Sequence, residues 1–161
     1  MRAQPAREAQ PHADASRAVG GARSFSTAIY FLVPRGSVSC LHRIRSAEVW
    51  HFYLGEPLVV YELDPSSGAE KRTLLGSDVL AGQALQHVVP AGAWFGSHLA
   101  ADAGAAAGPV APPPGDSRDY ALVGCTVAPG FDFADFEMAQ RGTLLQTYPH
   151  AAADIMRLTA P

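Results

Sequence analysis

The sequence has few charged residues, few cysteines and no long uninterrupted apolar run. Charged residues are 17% of the 161 positions and the formal net charge is -3, so the composition gives no sign of a basic surface for nucleic acid. No apolar run approaches the roughly 20 residues that a membrane-spanning helix needs. We therefore expect neither a nucleic-acid nor a membrane partner, and the length suffices for one domain with a substantial core.

Cysteine is scarce, with only Cys40 and Cys125 in the chain. Two cysteines do not make a disulfide framework, and their spacing matches no zinc motif. Reduced thiols in an intracellular protein are the expected state, and the predicted location is cytoplasmic. Cys40 has the same strand parity as His42, so both side chains can face the same interior.

From Ser26 onward, short apolar segments alternate with turn residues. The segments are rich in β-branched and aromatic side chains and are bounded by Pro, Gly, Ser and Asp. Eight strands at this spacing predict an all-β jelly-roll barrel, and the acidic and aromatic stretch 132–145 predicts a short C-terminal helix. The eight segments are 27–33, 38–44, 48–54, 57–64, 71–76, 84–90, 93–100 and 120–128.

One domain is predicted over residues 25–150. Residues 1–24 lack hydrophobic periodicity, which is typical of a poorly ordered N-terminal tail. Residues 101–119 are rich in Ala, Gly and Pro and cannot bury enough apolar surface to offset their ordering entropy. We expect a flexible insertion between two strands there, and a C-terminal tail over 151–161.

His42 and Glu48 are the candidate catalytic residues. Alternation along the third segment puts Glu48, Trp50 and Phe52 on one face of its strand, and the turn at 45–47 is expected to bring Glu48 beside His42. A carboxylate next to an imidazole can act as an acid–base pair or supply two metal ligands. The alternative is that the two groups satisfy each other by hydrogen bonding inside a polar-lined cavity.

Five further side chains are candidates for substrate binding. Apolar and aromatic walls with a few placed polar groups are typical of small-molecule sites. Tyr30 can contribute a hydroxyl and Gln86 an amide, while Trp94 is either an aromatic platform or a core residue. The predicted binding set is Tyr30, Trp50, Phe52, Gln86 and Trp94. His51 has the opposite parity to Trp50, so we expect it to face outward.

The spacing of Gly36, His42, Glu48 and Gly55 resembles the first motif of the cupin superfamily. Ile44 stands in place of the second histidine of that motif. The segment PAGAW at 90–94 resembles the Pro-x-Gly of the second cupin motif. Phe95 stands where that motif usually has a histidine. Two of the four usual metal ligands are therefore replaced, and we predict neither a metal site nor a cofactor.

Longer segments resemble the uncharacterised type 5 cupin family over roughly residues 25–149. The resemblance implies a double-stranded β-helix barrel that is usually dimeric, and a similarity to sugar-nucleotide epimerases and isomerases. The expected partners are thus a small molecule in the barrel and a second copy of the chain. The segments that carry the resemblance are 26–33, 42–58, 85–95 and 120–139.

Three functions remain open from the sequence. The first is a metal-independent isomerase or epimerase of a sugar-like metabolite, in which His42 or Glu48 moves a proton next to a carbonyl. The second is a non-catalytic cupin that has lost its metal and keeps only a ligand pocket. The third is a metal-dependent enzyme whose incomplete ligand set is completed by Gln86 or Cys40.

Overall fold

Two antiparallel sheets pack face to face in the computed structural model, which describes residues 23–102 and 119–160. The four-stranded sheet has the order β1-β8-β3-β6, and the five-stranded sheet has the order β5-β4-β7-β2-β9. This architecture confirms the predicted jelly-roll barrel. The strands are β1 (Thr27–Pro34), β2 (Val38–Arg43), β3 (Ala47–Gly55), β4 (Leu58–Leu63), β5 (Glu70–Leu75), β6 (Gln86–Val89), β7 (Trp94–Leu99), β8 (Tyr120–Ala128) and β9 (Glu137–Met138).

The alternation predicted for β3 is confirmed by burial. Glu48, Trp50 and Phe52 are buried between the sheets, whereas Tyr53 is about half exposed on the outer face. Directly paired residues of antiparallel strands project from the same face, so β3 fixes the inward positions of β6 and β8 as well. The interior core includes Val33, Ile44, Leu58, Val60, Val89, Phe95, Val123 and Val127.

A second core lies on the outer face of the five-stranded sheet. Two short helices, α1 (Arg141–Thr147) and α2 (Ala152–Arg157), cover this face. All six residues of β4 are buried because its two faces contact different cores, which explains its continuous apolar run. The second core contains Leu41, Tyr61, Leu63, Trp94, Leu144, Ile155 and Leu158.

The single helix predicted over 132–145 is wrong in its extent. The segment forms a 3₁₀ turn over Phe133–Asp135, then β9, and only then α1. Asp132 caps the turn, because its carboxylate accepts a hydrogen bond of 2.8 Å from the backbone N–H of Ala134. Phe136 has extended backbone angles, so the turn cannot continue as a helix.

The C-terminal residues 151–160, predicted as a tail, contain α2 and part of the second core. Ile155 is fully buried in this core. An ion pair of 2.5 Å between Arg72 and Asp154 joins α2 to β5. The predicted N-terminal tail and the Ala/Gly/Pro-rich insertion fall almost wholly on residues 1–22 and 103–118, outside the described residues. Neither helix in the described part of the chain has the length and apolar character needed to cross a bilayer.

No charged side chain projects from the outer face of the four-stranded sheet within the described residues. Tyr30 is 79% exposed there, and Leu32, Tyr53 and Val88 are each about half exposed. The strand pairings place these outward residues next to one another: Ala28, Tyr30, Leu32, Ala47, Val49, His51, Tyr53, Gln86, Val88, Leu122, Gly124 and Thr126. This surface, the uncharged face, contrasts with the helix-covered face of the other sheet.

Candidate functional site

A cavity of about 780 Å³ opens between the two sheets beside β1. Its size is within the range of small-molecule sites. The largely exposed side chains of Ile29 and Phe133 are at its mouth. The described lining residues come from four strands and the segment after β8: Thr27, Ala28, Ile29, Phe31, Ser39, Cys40, His42, Glu48, Trp50, Cys125, Val127, Phe131, Phe133, Phe136 and Met138.

The structure brings His42, Glu48 and Trp50 to this cavity. His42 lies on β2 of the five-stranded sheet, whereas Glu48 and Trp50 lie on β3 of the four-stranded sheet. The expectation that a turn pairs the two strands is therefore wrong, because the chain crosses from one sheet to the other at residues 44–46. The imidazole and the carboxyl group enter the cavity from opposite layers of the barrel.

Gln86 and Tyr30 do not lie where the sequence pattern predicts them. Gln86 is paired with His51, so its side chain is on the outer face of the sheet. Tyr30 also projects outward: it is 79% exposed, it pairs with Gly124 on the outer face, and it is not among the lining residues. The Tyr30 ring instead contacts Tyr53, with 5.6 Å between the ring centroids.

Phe52 and Trp94 belong to cores and do not line the cavity. Phe52 packs in the interior core. Trp94 lies on the opposite side of the five-stranded sheet, in the second core, where the Arg43 guanidinium carbon is 4.4 Å from its ring centroid. Alternation along β7 explains this placement, since the next residue, Phe95, is the one that faces the interior.

His42 is held in one tautomer by its own strand. Its Nδ1 is 2.7 Å from the carbonyl oxygen of Cys40, and because a carbonyl can only accept, Nδ1 carries the proton and donates. The Nε2 of the neutral ring is then an unprotonated acceptor. Burial lowers the pKa of His42, although the hydrogen bond to Cys40 partly opposes this effect. The ring packs against Phe95 and Phe136, with centroid separations of 4.2 and 5.0 Å.

Glu48 tends to keep its proton, whereas His42 tends to lose one. Its side chain is only 7% exposed, and burial raises the pKa of its carboxyl group. The Cys125 thiol and the Trp50 indole are close enough to lower that pKa in part. The Trp50 Nε1 nevertheless completes no hydrogen bond of normal geometry. Burial also raises the pKa of the Cys125 thiol, so this cysteine is a neutral donor beside Glu48.

Three lining residues come from the segment that the sequence pattern predicts as a helix, and Phe131 directly precedes it. Phe131, Phe133, Phe136 and Met138 form the aromatic and thioether wall next to His42. The apolar residues of this segment therefore pack against one mouth of the barrel. The sequence signal is a spacing of two residues, first between Phe131 and Phe133 and then between Phe136 and Met138. This spacing suits an irregular extended segment better than a helix.

The residues around His42 do not fit a cupin-type metal centre. Ile44, which replaces the second motif histidine, is buried in the interior core, and Phe95 contacts the His42 ring itself. In residues 23–102 and 119–160, no three His, Cys, Asp or Glu side chains are grouped so as to hold an ion. Gln86, considered above as a completing ligand, points away from the cavity.

A second histidine–carboxylate pair lies elsewhere in the barrel interior. His87 Nε2 is 2.6 Å from Glu62 Oε1, and Lys71 Nζ is 3.7 Å from the same oxygen. The pairing of His87 with Trp50 places its side chain inside the barrel. The pair links β6 of one sheet to β4 of the other and is not among the cavity-lining residues.

The similarity of the chain to known proteins agrees with this fold. A protein from Shewanella oneidensis is 34% identical over 88% of this chain and 79% of its own, with a TM-score of 0.73. A hypothetical protein from Leishmania major is 36% identical over 86% and 78%, with a TM-score of 0.71. A dTDP sugar isomerase from Desulfovibrio desulfuricans shares the fold at 17% identity, over 73% and 66%, with a TM-score of 0.54.

No curated protein matches the chain. The family model described as Cupin superfamily (DUF985) matches residues 3–139, which is most of the sequence. The strand order, the cavity between the sheets and the two solved structures above 30% identity agree with that match. The chain belongs to the Cupin superfamily (DUF985) family.

Proposed function

We propose that the protein binds a small molecule in the cavity and catalyses metal-independent proton transfer on it, as an isomerase or epimerase. The observation that carries the proposal is the placement of His42 and Glu48 in one cavity with opposite protonation preferences. Burial favours the neutral form of both groups, so the imidazole is available as a base and the carboxyl group keeps a proton to donate as an acid. The dTDP sugar isomerase of the same fold is compatible with this reaction class.

In the proposed reaction, the substrate carbon to be deprotonated is next to a carbonyl group. His42 Nε2 removes the proton from this carbon while the Glu48 carboxyl group donates its proton to the carbonyl oxygen, which gives an enol. Protonated His42 then returns its proton to carbon, and the Glu48 carboxylate takes a proton from an enol hydroxyl. Return to the former carbonyl carbon moves the carbonyl group when the first carbon bears a hydroxyl. Return to the first carbon, after the enol has turned over in the cavity, inverts that carbon. Both groups then recover their starting protonation states, so the reaction consumes no other reagent.

Hydrogen–deuterium exchange tests the proposed proton transfer without knowledge of the natural substrate. Uncharged hydroxyketones, from dihydroxyacetone to 2-hydroxypropiophenone, are incubated with the protein in D₂O and followed by proton NMR. Exchange at the carbon next to the carbonyl is expected with the wild type and is expected to disappear in His42→Asn. The matched control is His51→Asn, since His51 bonds Thr126 on the uncharged face and does not line the cavity. Equal exchange in all three proteins contradicts the proposal.

A non-catalytic binding protein is the second candidate. Ile44 and Phe95 favour it, because their apolar side chains occupy the two motif positions that usually bind metal in this superfamily. A ligand that raises the melting temperature without being converted, and without hydrogen–deuterium exchange, supports this candidate over the enzyme.

A homodimer through the uncharged face is the remaining part of the proposal. The outer side of the other sheet is covered by α1 and α2, whereas this face leaves Tyr30, Leu32 and Tyr53 substantially exposed. A contiguous apolar surface of this kind is rarely left in water by a monomer. A second copy has the same face without charge, so the two surfaces can meet without desolvating an ion.

A further inference from the structure

The chemistry of the cavity lining limits what the cavity can bind. Among its fifteen described lining residues there is no lysine and no arginine. Its ionisable groups are His42, Glu48 and the thiols of Cys40 and Cys125. Burial favours the neutral state of His42, Glu48 and Cys125. A buried phosphate or carboxylate would find no counter-charge among these side chains, and an unpaired ion is costly to bury.

Three arginines are already paired with carboxylates of Asp135 or Glu137, the sequence neighbours of the lining residue Phe136. Arg23 is 2.6 Å from Asp135, and both side chains are more than nine-tenths buried. Arg45 is 3.5 Å from the other oxygen of Asp135, and Arg43 is 2.6 Å from Glu137. An anionic ligand would have to compete with these carboxylates for the guanidinium groups.

The cavity also offers few hydrogen-bonding groups. The Thr27 hydroxyl oxygen already accepts from the backbone N–H of Phe131, and His42 Nδ1 already donates to Cys40. The groups best placed for a ligand are therefore His42 Nε2, the Glu48 carboxyl group and the Ser39 hydroxyl, with the Trp50 Nε1–H and the Thr27 O–H as further donors. Several hydroxyls of a free sugar would lose water here without gaining a partner.

The walls are instead aromatic and apolar. Phe31, Trp50, Phe131, Phe136 and Met138 supply most of the surface near His42 and Glu48. Flat or branched apolar groups of a ligand gain from contact with such walls, both by burial and by ring packing.

We infer that the ligand of this cavity is an uncharged, largely apolar molecule with one or two oxygen functions, such as an aryl or alkyl hydroxyketone, and not a sugar nucleotide. This inference rests on the small-molecule site of the proposed function and narrows its ligand class. The oxygen functions lie between His42 and Glu48, and the apolar part lies against Phe136 and Met138.

Fluorescence titration with the uncharged dye N-phenyl-1-naphthylamine tests this inference, because its emission rises in apolar sites. The wild type is expected to bind the dye, and 2-hydroxypropiophenone is expected to displace it. Glucose and dTDP-glucose at the same concentration are expected to leave it bound. Phe136→Ala is expected to weaken dye binding at least about fivefold through loss of the wall. The control Phe25→Ala changes a fully exposed ring outside the lining and is expected to have no effect.

A second pair of variants tests the same point if Phe136→Ala proves unstable. Ile29→Lys puts an ammonium group at the exposed mouth and is expected to weaken dye binding. Leu80→Lys puts the same group on the loop between β5 and β6, outside both the cavity and the uncharged face, and is expected to leave dye binding unchanged.

Two results would overturn the inferred ligand class. One is displacement of the dye by dTDP-glucose at lower concentration than by 2-hydroxypropiophenone, and the other is equal dye affinity in all variants. Neither result contradicts the proposed proton transfer, which is tested separately by comparing hydrogen–deuterium exchange in the wild type and in His42→Asn. Conversely, the expected dye binding with no exchange on any hydroxyketone would leave the ligand class standing and contradict the proposed catalysis.

Discussion

The Nδ1 of His42 donates a hydrogen bond of 2.7 Å to the carbonyl oxygen of Cys40, two residues earlier on the same strand. This bond fixes which ring nitrogen is free to act as a base. The pKa of His42 is lowered by burial, so the base stays neutral to a lower pH than an exposed histidine would. The raised pKa of Glu48 keeps the acid protonated to a higher pH than usual.

We therefore predict a bell-shaped pH dependence for the hydrogen–deuterium exchange rate. The rate falls at low pH as His42 is protonated, at a pKa below its ordinary 6.5, and falls at high pH as Glu48 ionises, at a pKa above its ordinary 4.5. Glu48→Gln is expected to remove the high-pH decline, because an amide does not ionise, and to slow exchange about 10- to 100-fold. A high-pH decline that persists in Glu48→Gln contradicts the assignment of Glu48 as the acid.

The stability of the protein is expected to respond to Glu48 in a pH-dependent way. Since the folded protein holds the Glu48 proton more tightly than the unfolded chain does, the contribution of Glu48 to wild-type stability falls as pH rises from about 4.5 through the raised pKa. Glu48→Gln is expected to be more stable than the wild type at pH 8 and similar to it below pH 4.5. Urea unfolding midpoints at several pH values measure this. A Gln variant that is less stable at every pH contradicts the prediction.

The Glu62–His87 pair is expected to stabilise the contact between the two sheets. Glu62→Gln replaces a charge-assisted hydrogen bond by a neutral one, and we expect a loss of about 1–3 kcal/mol in the free energy of unfolding. The control Glu137→Gln breaks an exposed pair with Arg43 and is expected to cost less than about 1 kcal/mol. Equal losses in the two variants would contradict a structural role for the buried pair.

The helix α2 is expected to contribute strongly to stability. Ile155→Ala removes a fully buried side chain from the second core and is expected to cost about 2–5 kcal/mol in urea unfolding. Met156→Ala, one residue further along the same helix, changes a largely exposed side chain and is expected to cost about 0.5 kcal/mol or less. A loss below 1 kcal/mol in Ile155→Ala would mean that this segment behaves as a tail in solution.

The proposed dimer is tested by substituting the uncharged face. Tyr30→Glu puts a carboxylate in the proposed interface, where it would be buried without a counter-charge, and light scattering after gel filtration is expected to change from the dimer mass to the monomer mass. The control Leu80→Glu alters an exposed apolar residue in the loop between β5 and β6 and is expected to remain dimeric. A wild type that elutes at the monomer mass rules out this interface.

Period-two alternation was enough to predict the inward residues of β3. Glu48 and Trp50 were placed correctly because alternation is local and follows from strand geometry alone. Alternation alone does not place Gln86 and His87. One of these two neighbours must face inward, and only the register of β6 against β3 decides that it is His87. The register depends on residues about 36 positions away in the chain, so a local pattern does not contain it.

Residues that meet two different cores were the hardest to predict. Trp94 is buried as the sequence suggests, but in the second core, whose other half is supplied by Leu144 and Ile155 near the C-terminus. The crossing of the chain from β2 in one sheet to β3 in the other could not be predicted for a similar reason. The same short sequence can close a hairpin or connect two sheets.

The crossing between sheets has a consequence for how the site can change during evolution. His42 and Glu48 belong to separate layers, so the gap between them is a spacing between layers and not a property of one strand. Side chains that keep the layers apart, such as Ile44 and Val89, set that gap without reaching the cavity. Substituting a larger or smaller residue at those positions would retune the acid–base separation while every ligand contact kept its chemical identity.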